Sequence, residues 1–148
     1  FEQAILSAAD QGLAIAVLSV DLDGLKTIND ALGHEAGDQV LIETAKRLRG
    51  TVRADDLVAR IGGDEFMILL KAEATTIPRI VERIIDAAQQ PVLLDGKPVS
   101  VTISAGVALS EQPALRQRDD ILRNANAALQ RVKAAGKAGF EVFAPVAA

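Results

Sequence analysis

Arg60-Ile61-Gly62-Gly63-Asp64-Glu65-Phe66 decides how the rest of this 148-residue chain is read. The run sets two adjacent carboxylates in a paired-glycine turn between two apolar segments, Leu57 to Ile61 and Phe66 to Leu70, which read as the strands of a buried hairpin. Glycine reaches positive φ and leaves its backbone N–H groups uncovered, so Gly62 and Gly63 permit a tight reversal and the close approach of a bulky anion such as a phosphate. Asp64 and Glu65 would repel that anion directly. A hard divalent cation in between removes the conflict, because Mg²⁺ takes oxygen ligands and is usually held by one or two carboxylates plus substrate phosphates.

A second acidic cluster strengthens that reading. Leu13 to Val20 is apolar and β-branched enough for a buried strand, and it runs into Asp21-Leu22-Asp23-Gly24-Leu25-Lys26. Successive strand residues point to opposite faces, so Asp21 and Asp23 share a face while Leu22 turns into the core and offers its carbonyl as a further oxygen donor. Asp21 and Asp64, on neighbouring strands, would close on one or two metal ions, with Lys26 on the next turn to neutralise phosphate. An Asp-x-Asp at a strand end is, taken alone, more often a helix cap or a solvated turn. Its company here, Gly-Gly-Asp-Glu together with Lys26, Asn29 and Asp38, favours a site.

Three motifs in order, Asp21 through Asp30, Gly33-His34-Glu35-Ala36-Gly37-Asp38 and Gly62-Gly63-Asp64-Glu65-Phe66, resemble the GGDEF family of diguanylate cyclases. The resemblance runs from about Leu13 to Phe143. It implies an enzyme that joins two GTP molecules into cyclic di-GMP with release of two pyrophosphates. Each subunit of a homodimer presents one GTP, and each 3′-hydroxyl attacks the α-phosphate of the other nucleotide. Asp21, the Leu22 carbonyl and Asp64 would then bind a pair of Mg²⁺ or Mn²⁺ ions, with Glu65 as an outer metal ligand or an aid to 3′-hydroxyl deprotonation. Asn29 and Asp38 match the guanine-binding positions, an amide offering donor and acceptor and a carboxylate accepting from the guanine N1–H and amine. Gly24, Leu25 and Lys26 match the phosphate-binding turn, with Gly62 and Gly63 lining the substrate.

The same resemblance assigns Arg53-Ala54-Asp55-Asp56 to the family's RxxD inhibitory motif, in which Arg53 and Asp56 bind the cyclic product for feedback. Near the C-terminus, Lys133 keeps a phosphate-binding cation, and Lys137 replaces an arginine with a point charge that makes no bidentate fork. Asn126 and Gln130 stand where the family has an acidic and an aromatic residue. These departures leave the metal ligands intact, so GTP binding is expected more firmly than turnover. The family's Asp-x-Leu-Thr-Gly-Leu-x-Asn-Arg segment, expected just before Phe1, is missing, so the sequence is expected to be one GGDEF domain, residues 1–148, trimmed at its front. The final Phe140-Glu141-Val142-Phe143-Ala144-Pro145 resembles the link into an EAL phosphodiesterase domain.

Composition agrees with a single domain. At 49% hydrophobic residues the chain can bury a core, built almost wholly from aliphatic side chains because it holds four Phe and neither Trp nor Tyr. A formal charge of −4 argues against a nucleic acid polymer bound over a broad surface. Cysteine is absent, which excludes a disulfide framework and suits a reducing compartment. No apolar run spans a bilayer and residues 1–12 do not read as a signal peptide, so a cytoplasmic domain is expected, of a parent that is free to be membrane-anchored elsewhere.

Periodicity predicts helices over Glu2 to Gln11, Lys26 to Leu32, Asp38 to Arg49, Ile77 to Gln89 and Asp119 to Ala135. Strands are predicted over Leu13 to Val20, the Leu57 to Leu70 hairpin, Pro91 to Leu94, Val99 to Leu109 and Phe140 to Phe143. Val40, Leu41, Ala45 and Leu48 form a core stripe, and His34 reads as a capping or turn residue. The expected fold is α+β, a palm-like βαββαβ sheet, rich in antiparallel pairs and flanked by helices, as in nucleotide cyclases. Two other functions stay open: a GTP-binding regulatory module for an attached EAL domain, and a cyclic di-GMP receptor acting through Arg53 and Asp56.

Overall fold

The computed structural model describes residues 2–111 and 118–143. The elements run α1 (Glu2–Gln11), β1 (Ala14–Asp23), α2 (Leu25–Leu32), α3 (His34–Thr51), β2 (Leu57–Gly62), β3 (Glu65–Ala72), α4 (Ile77–Ala88), β4 (Val92–Leu94), β5 (Lys97–Val99), β6 (Thr102–Ser110), α5 (Arg118–Ala134) and β7 (Gly139–Val142). Five strands make one sheet in the order β2-β3-β1-β6-β7, antiparallel except for the β6–β7 pair. The expected βαββαβ palm is present, with β7 added at one edge and β4–β5 as a separate small hairpin.

Alternation along β1 explains the layers. Its even-numbered apolar residues, Ala14, Ala16, Leu18, Val20 and Leu22, join one core with Leu25 and Ile28 of α2, Val40, Leu41 and Leu48 of α3, and Val81 and Ile84 of α4. The odd-numbered Ile15 and Val17 join a second core with Ile5 and Ala8 of α1 and Ile121 and Ala125 of α5. A strand apolar on both faces must lie centrally, and β1 does, between β3 and β6.

Two boundaries and the burial of one strand differ from the sequence reading. The helix expected from Asp38 starts at His34, so Gly33 alone joins α2 to α3, at φ 93° and ψ 163°, where a side chain would be strained. His34 is thus the exposed first residue of α3. The strand expected from Val99 to Leu109 divides, because Val99 ends the short β4–β5 hairpin and β6 begins at Thr102. Most informative is β2, expected to be buried: it lies at the open edge of the sheet with Leu57, Arg60, Ile61 and Gly62 exposed. Only β3 of that hairpin, carrying fully buried Phe66, Ile68, Leu69 and Leu70, belongs to the core. The proposed C-terminal link falls partly on Ala144 and Pro145, which lie outside the described residues.

Candidate functional site

The polar end of β1 meets the tip of the β2–β3 hairpin. Asp21 faces Glu65 in the β1–β3 register, and the Leu22 N–H donates to the Asp64 carbonyl at 3.1 Å. This backbone bond fixes the turn against the strand end, bringing the Asp21 and Asp64 carboxylates close enough to interact. The turn is further set by Arg60, whose Nε and Nη2 both donate to the Gly63 carbonyl, at 3.0 and 2.7 Å. A bulge between Arg60 and Gly62 places Ile61 outward, 61% exposed, and Gly63 takes φ 44°. Arg60 stood in the quoted sequence without a role; its place two residues before a glycine pair was the available signal.

Asp21 is 6% exposed, and Lys133 of α5 forms an ion pair with its Oδ2. Burial raises the Asp21 pKa above its ordinary 3.8; the Lys133 hydrogen bond opposes that and the Asp64 charge adds to it. Lys133 is raised in turn, first by its hydrogen bond to Asp21. Asp21 Oδ1 is buried without a hydrogen-bond partner. An orphaned carboxylate oxygen beside a second carboxylate is costly unless something cationic completes it. Among the described residues no three His, Cys, Asp or Glu side chains form a ready cage for a cation. Two carboxylates and a backbone carbonyl fit Mg²⁺ or Mn²⁺, whose remaining positions go to water and phosphate oxygens.

The approach of α5 that delivers Lys133 depends on Gly106 of β6. A Cβ there would stand 2.1 Å from both the Ala125 carbonyl oxygen and the Leu129 nitrogen, so helix and strand touch backbone to backbone. Lys137 follows α5 in an exposed loop, and exposed Lys26 lies in the first turn of α2 behind Gly24, which takes φ 80°. Leu25 is buried, anchoring that turn.

The expected base-reading residues lie across the sheet, at the α2–α3 crossing. Gly37 lies under Asn29: an added Cβ would be 1.7 Å from Asn29 Oδ1. Oδ1 is buried and unpartnered, an acceptor in want of a donor. Asp38, one residue on, is exposed and borders a cavity of about 330 Å³ lined by Leu41, Ile42, Ala45, Arg49, Arg60 and Phe66.

Arg53 and Asp56 occupy a separate place. Asp56 Oδ2 accepts from the Arg53 N–H at 3.0 Å and Oδ1 accepts from the Lys71 N–H at 3.3 Å, which clips the loop to β3. Both residues line a cavity of about 400 Å³ with Lys71, Arg83 and Thr76. Lys71 is 8% exposed, pairs with Asp55 at 3.1 Å and donates to Ser7 Oγ of α1 at 3.2 Å. That hydrogen bond from Lys71 holds the Asp55 carboxyl below its ordinary value. The sequence reading missed Lys71 and Arg83. Lys71 carried a signal, a lone charge at the end of an apolar strand.

Comparison with known proteins supplies the context. The family model described as diguanylate cyclase, GGDEF domain, matches residues 1–139. The bifunctional diguanylate cyclase/cyclic di-GMP phosphodiesterase MucR of Pseudomonas aeruginosa is 40% identical over 143 residues, 96% of this chain and 21% of MucR. The cyclic di-GMP phosphodiesterase NbdA of the same species is 36% identical over 144 residues, 97% of this chain and 18% of NbdA. Diguanylate cyclase TpbB, also from P. aeruginosa, is 45% identical over 115 residues, 76% of this chain and 26% of TpbB. The crystal structure of the TpbB GGDEF domain matches with a TM-score of 0.85 and 37% identity, covering 97% of this chain and 91% of that domain. The chain therefore spans about a fifth to a quarter of the length of these curated relatives.

Proposed function

Because this chain belongs to the GGDEF-domain family of diguanylate cyclases, we propose that it condenses two GTP molecules into cyclic di-GMP and two pyrophosphates across a homodimer. The observation that carries the reading is the orphaned Oδ1 of buried Asp21 beside Asp64, at a strand end that also receives Lys133. Asp21, Asp64 and the Leu22 carbonyl would hold Mg²⁺ or Mn²⁺, with Glu65 as outer ligand. The ions supply neutralisation of the charge on the reacting phosphate and a lowered pKa for the attacking hydroxyl.

The chain's own residues do the positioning. Asn29 Oδ1 accepts from the guanine edge and Asp38 adds a carboxylate acceptor, so a base lacking those donors leaves a buried acceptor unpaired. The Gly24 and Leu25 N–H groups, Lys26, Lys133 and Lys137 hold the triphosphate, and Gly62 and Gly63 let it approach the turn. Exposed Glu65 is available to take the 3′-hydroxyl proton. Each 3′-oxygen forms a bond to the α-phosphorus of the other nucleotide as the bond to the bridging oxygen of pyrophosphate breaks. A hairpin on an exposed sheet edge suits such a reaction between two bodies, because its tip is open to a second subunit.

Arg53 and Asp56, with Lys71 and Arg83 in the same cavity, are proposed to bind the product for feedback. Among the described residues no helix is long and apolar enough to cross a membrane. The test is incubation of the protein with GTP and Mg²⁺ and detection of cyclic di-GMP by mass spectrometry. Product from the native chain and none from Asp64→Asn supports the reading.

A second reading has support from NbdA, a relative named as a phosphodiesterase, and from Asn126, Gln130 and Lys137 in place of the family residues. In it the domain binds GTP without turning it over and tunes an attached EAL domain. GTP binding without product, together with a GTP-dependent change in the neighbour's phosphodiesterase rate, would select it.

A further inference from the structure

Four successive residues after α5, Gly136, Lys137, Ala138 and Gly139, have φ of 115, 66, 57 and 131°. Glycine adopts such values freely, whereas Lys137 and Ala138 pay a steric penalty that persists only where surrounding contacts impose it. The helix-end bonds, Gly136 N–H to the Lys133 carbonyl at 3.3 Å and Lys137 N–H to the Val132 carbonyl at 3.0 Å, account for the stop of α5. They do not reach Ala138.

What reaches Ala138 is Asp23. Its Oδ2 accepts from the Ala138 N–H at 3.2 Å and from Thr102 Oγ1 at 2.7 Å, and Ser104 Oγ donates to the carboxylate at 2.8 Å to Oδ1 and 3.0 Å to Oδ2. The Ala138 N–H is shared with Ser104 Oγ at 3.0 Å, and Ser104 is fully buried. Hydroxyls of β6 and an amide of the loop thus converge on one acceptor-only group at the end of β1. Asparagine keeps the shape and one acceptor oxygen but loses the negative charge that strengthens each of these hydrogen bonds.

We propose that Asp23 is a positioning residue: it fixes the strained loop that carries Lys137 against the strand that carries Asp21, so that the lysine meets the triphosphate of the substrate. This rests on the reading of Lys137 as a phosphate cation. A lysine needs such help, because a point charge on a flexible stem lacks the self-aligning fork of an arginine.

The experiment compares the full-length native protein with Asp23→Asn, Lys137→Ala and the double variant, each with Mg²⁺ and a non-hydrolysable GTP analogue or GMP. Asp23→Asn should speed hydrogen exchange at the Ala138 amide and weaken the analogue about tenfold while leaving GMP unchanged. The double variant should bind the analogue no worse than Lys137→Ala alone. Equal weakening of GMP and analogue, additive losses in the double variant, or an unchanged Ala138 amide overturns the proposal. If Lys137→Ala weakens the analogue and Asp23→Asn does not, the Asp23 inference fails alone. If the native chain binds no analogue, the functional reading fails and this inference falls with it.

Discussion

Replacing Gly37 by alanine separates nucleotide recognition from folding. The new Cβ would fall 1.7 Å from Oδ1 and 2.8 Å from Cγ of Asn29, and the nearest atoms it meets all belong to that side chain. Oδ1 is the tip of a rotatable group, so the clash is relieved by turning Asn29 away, without moving backbone. Folding then loses little, because alanine within α3 gains about 1 kcal/mol of helix propensity over glycine, comparable to a mild overpacking cost. On the proposed function, guanine recognition then loses the Asn29 hydrogen bond, about 1–3 kcal/mol, or roughly 5- to 150-fold in affinity. Calorimetric titration with GTP and ATP analogues reads the selectivity, and thermal melting reads the fold. If Gly37→Ala keeps its full preference for guanine, or if adding it to Asn29→Ala costs selectivity a second time, Asn29 is not the group through which Gly37 acts.

Gly106→Ala should destabilise by about 1–3 kcal/mol or more, because its Cβ meets backbone atoms of α5 that cannot rotate aside; an unshifted urea midpoint refutes the close packing. Lys133 has a pKa raised above 10.5, so the stability it lends is fully present below that pH and is lost as pH rises through the raised value. Urea midpoints of the metal-free protein should decline there, and more steeply than in Lys133→Gln; identical profiles would show that the pair with Asp21 contributes nothing. Arg53→Ala should abolish binding of cyclic di-GMP measured by calorimetry while leaving product formation intact, and retained binding would move the feedback site elsewhere.

Much of this was legible in the residues. Alternation placed Asp21 and Asp23 on one face, and the strand-end and turn motifs named Asp64 before any register was known. Misjudged features were those set by tertiary context. Leu57 to Ile61 is apolar enough for a core strand, yet sheet order makes it an edge, and no local pattern encodes sheet order. The start of α3 was missed because two glycines, Gly33 and Gly37, looked like a loop, whereas Gly37 is a helical residue with no room for a Cβ beneath Asn29. The roles of Asp23, Arg60 and Lys71 depend on partners from 3 to 115 positions away in sequence, and such pairings appear only once the chain is folded.

The sheet is also a partition. On one side stand the helices bearing Asn29 and Asp38; on the other stands the helix bearing Lys133, with Asp21 turned toward it. Side chains separated by a rigid layer do not touch one another, so the two compartments couple only through a ligand that reaches both. On the proposed function, base choice is made from one face only, and an engineer wishing to accept a different purine would rework Asn29 and Asp38 while leaving Lys133 and its pair with Asp21 as they stand.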